Sequence, residues 1–261
     1  MQSYLTSSAV TVQLDAPADL ADIRADAVSQ PLLNLRVGTG EVGDSLELDP
    51  LFDCSRVLIE GLADLPNVTL ELKTKTSFVD HLLDITAKGR TVISFSLNPP
   101  ELAREEPRAA PVRERLRAAK RASDAGYRIA FHFDPIIASG EWKTPYAKLI
   151  DELGDFAVAP PAWVSLGTVR FPPSLREKMQ PRSYLFDEYV PCRDGKFRYL
   201  QKRRIAVYRQ MKEWIEKRLS TSVYLCMESE TVWREVFGST PEHIENLVGI
   251  FDEGGDGEYE V

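Results

Sequence analysis

Polar or glycine-rich positions stand just past six short apolar runs. Gly38-Thr39-Gly40-Glu41 follows Leu33–Val37, Lys73 and Lys75 follow Val68–Leu72, and Ser96 with Asn98 follows Thr91–Phe95. Asp134 follows Tyr127–Phe133, Arg170 follows Trp163–Thr168, and Glu228 follows Val223–Cys226. Cations at such positions can hold an anion, carboxylates can move protons, and a glycine-rich turn lets a ligand approach the backbone. Each also has a plain use, since glycines mark turns and lysine heads are commonly solvated. His81, His132 and His243 have no zinc-site spacing, and His132, inside the apolar run Ile129–Phe133, reads as a core residue. Cys54, Cys192 and Cys226 are too few and too scattered for a disulfide framework or a metal cluster of their own, which points to a reducing, cytoplasmic setting.

These positions need a scaffold that brings strand ends to one side. The chain alternates short β-branched runs with helical stretches, the pattern of βα units around a parallel sheet, whose active sites collect at the C-terminal strand ends. Asp15, Asp49, Thr144 and Thr240, each followed by a proline in the first turn, mark helix starts. Over Val112–Ala125, Val112, Leu116 and Ala119 share a face, Arg113, Arg115 and Arg117 fall mostly away from it, and Gly126 ends the helix. A longer helix runs from about Lys202 to Leu219, with Val207, Met211, Trp214 and Ile215 as a core stripe. Tyr184–Pro191 and Lys196–Leu200 flank Cys192-Arg193-Asp194-Gly195, and the Asp-Gly pair predicts a β-hairpin. Residues 1–250 read as one barrel-like body that includes this hairpin, at about 184–200; residues 251–261, acidic and glycine-rich, read as a disordered tail.

With 32 basic against 40 acidic residues, the net charge of −8 argues against a protein that coats duplex by bulk charge. Any nucleic-acid contact must be local. Arg193, Lys196, Arg198, Lys202, Arg203 and Arg204, with Phe197 and Tyr199 interleaved, form the one such run; its plain reading is a solvated hairpin and helix start. No run approaches the roughly 20 apolar residues of a membrane span.

The order of several segments resembles the spore photoproduct lyase-like family of radical S-adenosylmethionine proteins from about Gln2 to Gly238. The segments are Gly38–Glu41, Leu70–Lys75, Val79–Leu83, Ser94–Pro99, Ala125–Tyr127, His132–Pro135, Ser165–Pro173 and Tyr224–Ser229. The resemblance implies an α/β fold, a partial (βα)6 TIM-like barrel, holding S-adenosylmethionine and a four-iron, four-sulfur cluster, with DNA photolesion chemistry. It places Gly38, Thr39, Gly40 and Glu41 near the methionyl group, Lys75 and Ser96 near the carboxylate and ribose, and Asp134 near the adenine. Lys196, Arg198 and Tyr199 fall where the family's hairpin meets DNA.

Two departures follow. The Cys-x3-Cys-x2-Cys loop that supplies the family's cluster ligands is absent, and Met1–Leu5 resembles the stretch after its last cysteine, so the expectation is a chain truncated at its N-terminus, missing the first strand and inactive as given. Gly38 stands where the lyase carries the cysteine that returns hydrogen to product, which puts that route in doubt. A cluster-free barrel that binds a nucleotide or nucleic acid is the alternative, and an acid–base barrel enzyme using Glu41, Lys75 and Asp134 is a third reading.

Overall fold

The computed structural model describes residues 16–40, 43–103, 109–156, 159–176 and 188–241. Its described elements in chain order are α1 (Ala16–Ser29), β1 (Leu35–Thr39), α2 (Asp49–Phe52), α3 (Cys54–Leu62), β2 (Val68–Thr74), β3 (Val92–Ser96), α4 (Pro100–Ala103), α5 (Val112–Asp124) and β4 (Arg128–Ile136). Then come α6 (Lys143–Asp155), β5 (Val164–Thr168), β6 (Arg170–Phe171), α7 (Pro173–Arg176), β7 (Tyr189–Pro191), β8 (Phe197–Tyr199), α8 (Gln201–Arg218), β9 (Val223–Leu225) and α9 (Glu230–Phe237). The large sheet has the strand order β1-β2-β3-β4-β5-β9, and a small one the order β6-β8-β7. All six expected strands form, within two or three residues of their predicted ends. Lys73 and Asp134 lie inside β2 and β4 because the strands run past the apolar stretches.

The chain divides into two compact units. The first holds residues 16–95 and 113–130, the second residues 96–112 and 131–241, among those described. In the first unit β1, β2 and β3 are parallel. Val68, Leu70 and Leu72 on one face of β2 are buried, as are Leu58, Ile59 and Leu62 of α3, which packs on that strand. The other face carries Thr69, Glu71 and Lys73, the alternation of a strand whose two sides meet different surroundings. In the second unit β4, β5 and β9 are parallel. Phe131 and Phe133, Val164 and Leu166, and Val223 and Leu225 are buried on one face, while His132, Asp134, Ser165, Gly167 and Tyr224 alternate onto the other.

The hairpin forms as expected. Tyr189–Pro191 pairs antiparallel with Phe197–Tyr199, the Cys192 N–H donates to the Lys196 carbonyl at 2.9 Å, and Gly195 takes φ +74°. Its Tyr184–Asp187 arm lies outside the described residues, as do Asp15, His243 and the 251–261 tail. Three local expectations need correction. Arg115 is buried, because it stands three and four residues from Val112 and Ala119 on the same stripe, where small alanines leave it room. Asp49 is the first residue of α2; its carboxylate instead accepts the Ser55 N–H in the first turn of α3, at 2.9 Å. Thr144 is the second residue of α6, and Trp142 takes the capping position with no side-chain hydrogen bond.

Candidate functional site

In the first unit, the polar face of the strands is built around a buried carboxylate that the sequence alone did not single out. Glu71, on β2, lies opposite Gly38 of β1 and is 5% exposed. Arg36 Nη2 donates to Glu71 Oε2 at 2.6 Å, and the Ser94 hydroxyl donates to Oε1. Burying a carboxylate in apolar surroundings is tolerated only with such partners. The available signal was a charge inside an otherwise apolar strand, Val68-Thr69-Leu70-Glu71-Leu72.

At the strand ends above it, Gly38 is exposed, and among the described residues a Cβ there would meet only Glu71 Oε2, at 3.9 Å. Thr39 Oγ1 lies 2.7 Å from Ser45 Oγ. Gly40 takes φ +93° and packs on β2, so close that a Cβ would fall 2.7 Å from the Lys73 carbonyl oxygen. Lys75 follows β2 directly, with its backbone N–H donated to Asp44 Oδ2 at 2.5 Å. Glu41 lies outside the described residues.

In the second unit, Ser96 ends β3 and is buried. Asp134, on β4, pairs with Arg170 through two hydrogen bonds of 3.0 Å, and Arg170 Nη2 stands 3.6 Å from Cys226 Sγ. Gly167 lies beneath this pair: a Cβ on it would come within 2.9 Å of both Arg170 Nη1 and Asp134 Cγ, so the glycine keeps the forked contact open. Burial works against the Arg170 charge, but Asp134 and then Cys226 outweigh it and raise the guanidinium pKa.

Glu228 is engaged internally. Its Oε1 accepts from Arg204 Nε at 2.9 Å and from the Tyr208 hydroxyl at 2.8 Å, while the same hydroxyl accepts the Thr168 N–H at 2.9 Å. Burial, and then Glu228, push the Tyr208 phenol well above its ordinary pKa. Arg204 Nη1 donates to the Tyr199 carbonyl at 2.6 Å, tying the network to the end of β8.

The basic run separates by burial. Arg198 is 2% exposed and donates to both Asp194 oxygens at 2.6 and 2.7 Å. Tyr199 is buried, with its hydroxyl accepting the Ala138 N–H at 3.3 Å and Arg203 over its ring. Of the three residues carried over for DNA contact, Arg198 and Tyr199 thus hold the hairpin together, and Lys196 is half-exposed. Arg193 and Lys202 are exposed.

Hydrogen bonding by Arg198 holds the Asp194 carboxyl below its ordinary pKa. A depressed folded-state pKa contributes stability that is present above the unfolded value, about 3.9, and disappears as pH falls through the folded one. Asp194→Asn is therefore expected to lower stability by about 1.5–3 kcal/mol at neutral pH, and this gap to the unsubstituted protein should narrow progressively as pH falls below about 4. Urea midpoints of both proteins between pH 7 and pH 3 check this. A gap that stays constant over that range contradicts it.

The cysteines do not gather. Cys54 opens α3, Cys192 sits in the hairpin turn and Cys226 follows β9. Among the described residues, the one group of three or more His, Cys, Asp or Glu side chains close enough to share a metal ion is Asp49, Asp53 and His81. There, His81 Nε2 lies 2.7 Å from Asp49 Oδ2, and Arg56 Nε donates to Asp53 Oδ2 at 3.0 Å, so the group is held by its own hydrogen bonds. No described helix is long and apolar enough to cross a membrane.

Known proteins match this fold. The spore photoproduct lyase family model matches residues 34–162. Spore photoproduct lyases of Geobacillus sp. (strain Y412MC61) and Bacillus subtilis (strain 168) are each 32% identical over 111 residues, 42% of this chain. These alignments span about a third of the relatives' length, 33% and 32%. A solved spore photoproduct lyase complexed with dinucleoside spore photoproduct superposes with a TM-score of 0.73 at 22% identity, covering 83% of this chain and 68% of that one. A variant with bound AdoMet and the dinucleoside gives 0.72 at 23%, with the same coverage. The α/β fold is thus a partial TIM-like barrel, the fold of these solved lyases. Over residues 34–162 the chain is similar to the spore photoproduct lyases.

Proposed function

We propose that this protein binds S-adenosylmethionine and acts, as part of a spore photoproduct lyase-like system, on a photolesion in DNA. One observation carries the reading: in each unit the strands keep an apolar face for helices and give the opposite face to small and polar residues, Gly38, Glu71 and Ser94 in one, Asp134, Ser165 and Gly167 in the other. A parallel sheet packed on both sides would carry apolar residues on both. The matched relatives add the chemistry, since a solved neighbour holds AdoMet and a dinucleoside spore photoproduct.

The residues present fit a polar ligand at the first unit's strand ends. Gly38, Thr39, Gly40 and Glu41 would serve the methionyl end and Lys75 the carboxylate, where an ammonium donor is suited to an anion. Ser96 and Asp134, in the second unit, are proposed for the ribose and adenine on the family resemblance alone. Bound S-adenosylmethionine supplies a carbon–sulfur bond whose reductive cleavage starts radical chemistry. The chain's own residues bind and orient: Glu71 holds Arg36, and Asp134 aims Arg170. The described cysteines do not fit a four-iron, four-sulfur cluster, which needs thiolates close together. Lys196, with the exposed Arg193 and Lys202, is proposed for the DNA backbone, while Arg198 and Tyr199 shape the hairpin that presents it.

Calorimetric titration with S-adenosylmethionine tests the proposal. Binding is expected, and Lys75→Ala should weaken it about tenfold, roughly 1.4 kcal/mol. In parallel, a duplex carrying the photoproduct should bind with an affinity that falls as salt rises, and less tightly to Lys196→Ala. A protein that binds no S-adenosylmethionine, or binds equally well without Lys75, contradicts the reading.

A further inference from the structure

We propose that Asp44 is a positioning residue for Lys75, and through it for the carboxylate of the bound ligand; this rests on the preceding reading of Lys75. Gly40 turns the chain away at φ +93°, while β2 continues past the last residue that β1 covers, Leu72. Backbone groups left without a neighbour must find other partners. The chain supplies them when it returns at Asp44-Ser45. The Ser45 N–H donates to the Lys73 carbonyl at 3.0 Å, Ser45 Oγ accepts the Lys73 N–H at 3.0 Å, and Asp44 Oδ2 accepts the Lys75 N–H at 2.5 Å.

The division of labour within the Asp44 carboxylate sets it apart from an ordinary turn residue. An Asx turn needs one oxygen. Here Oδ1 serves the turn, accepting the N–H groups of Leu46 at 2.9 Å and Glu47 at 3.1 Å together with the Thr74 hydroxyl at 2.7 Å. Oδ2 meets the Lys75 N–H. All four partners are donors, so a carboxylate, which only accepts, suits the position and an amide does not. Lys75 stands one residue beyond the strand. A lysine head rides on a flexible four-carbon stem, so fixing the main chain at its base narrows where the ammonium can reach. Asp44 provides that fixed base.

The test separates positioning from general loosening by pairing two probes. S-adenosylmethionine and 5′-methylthioadenosine share the nucleoside and the sulfur, but the second lacks the amino and carboxylate groups. In calorimetric titrations of the whole chain, Asp44→Asn is expected to weaken S-adenosylmethionine about tenfold and methylthioadenosine less than twofold. Added to Lys75→Ala it should change neither further, the non-additivity of two groups acting as one. Ser45→Ala, which spares the Asp44–Lys75 bond, should leave the ratio of the two affinities unchanged. If Asp44→Asn does not fold, Asp44→Glu, with its carboxylate displaced by one methylene, carries the same expectations. Equal weakening of both probes, an unchanged S-adenosylmethionine affinity, or losses that multiply with Lys75→Ala would overturn the assignment while leaving the binding site standing. An unsubstituted protein that binds neither probe overturns the reading of the site, and the role of Asp44 falls with it.

Discussion

Glu228→Leu is expected to lower the unfolding free energy by about 3–5 kcal/mol, the effect of removing one partner from a buried ion pair. The substitution strands the Arg204 guanidinium, whose side chain is 7% exposed, and takes away the nearer acceptor of the buried Tyr208 hydroxyl, leaving it Thr168 Oγ1 at 3.2 Å. Both groups were desolvated on folding, and an unmet buried donor bears its full desolvation penalty. Because Arg204 also holds the Tyr199 carbonyl, the loss should reach the hairpin. The double variant Arg204→Met with Glu228→Leu is expected to recover most of the loss, since two apolar groups need no partner. Urea unfolding of the three proteins, with m-values compared, measures this. A single-variant loss under about 1 kcal/mol would mean that the pair behaves like a solvated surface bridge. The structure thus gives Glu228 a structural place, where its position after a strand had left a catalytic one equally open.

Gly40→Ala should be the most damaging alanine at the strand ends, at about 2–5 kcal/mol when left-handed backbone strain and overpacking are combined. The φ of +93° is poorly suited to an L side chain, and the new Cβ would lie 2.7 Å from the Lys73 carbonyl oxygen and 2.8 Å from Ser45 Oγ. The first of these contacts is backbone within a strand and cannot rotate away. Relief requires the turn to lift from β2, which would break the Ser45 bonds to Lys73 and move Lys75. Weaker S-adenosylmethionine binding is therefore expected beside the lower melting temperature. Gly38→Ala is the contrast: with Glu71 Oε2 at 3.9 Å as its near neighbour, the added methyl should change stability by less than about 0.5 kcal/mol, as at an ordinary surface position. Thermal melts and ligand titrations of the two variants decide the matter. Equal effects would mean that the turn at Gly40 does not depend on its backbone conformation.

The strands were legible because their signal is local. Val68–Leu72 and Val223–Cys226 are short β-branched or aromatic runs, and a run of that kind declares a buried strand whatever surrounds it. The hairpin was legible for the same reason, through the turn preference of Asp194-Gly195. Arg115 was misplaced because helical periodicity assigns a face and says nothing about how much room the neighbours leave. Small alanines at 118, 119 and 122 admit a long side chain that a larger set would exclude.

The sequence by itself determined the βα alternation, the ends of the parallel strands as the place for polar residues, and the resemblance to a lyase family, all properties of segments a few residues long. Tertiary structure alone decided which of those polar residues remain accessible. Arg198 and Lys196 are two positions apart in one basic run, yet one is spent on Asp194 inside the hairpin and the other reaches solvent. Glu71, Asp44 and Glu228 gain their roles from partners 24 to 35 residues away, Arg36, Lys75 and Arg204. The physical reason is that a charge is assigned by its surroundings: its burial and its partners set whether it binds a ligand or holds the fold, and neither is written in the order of neighbouring residues.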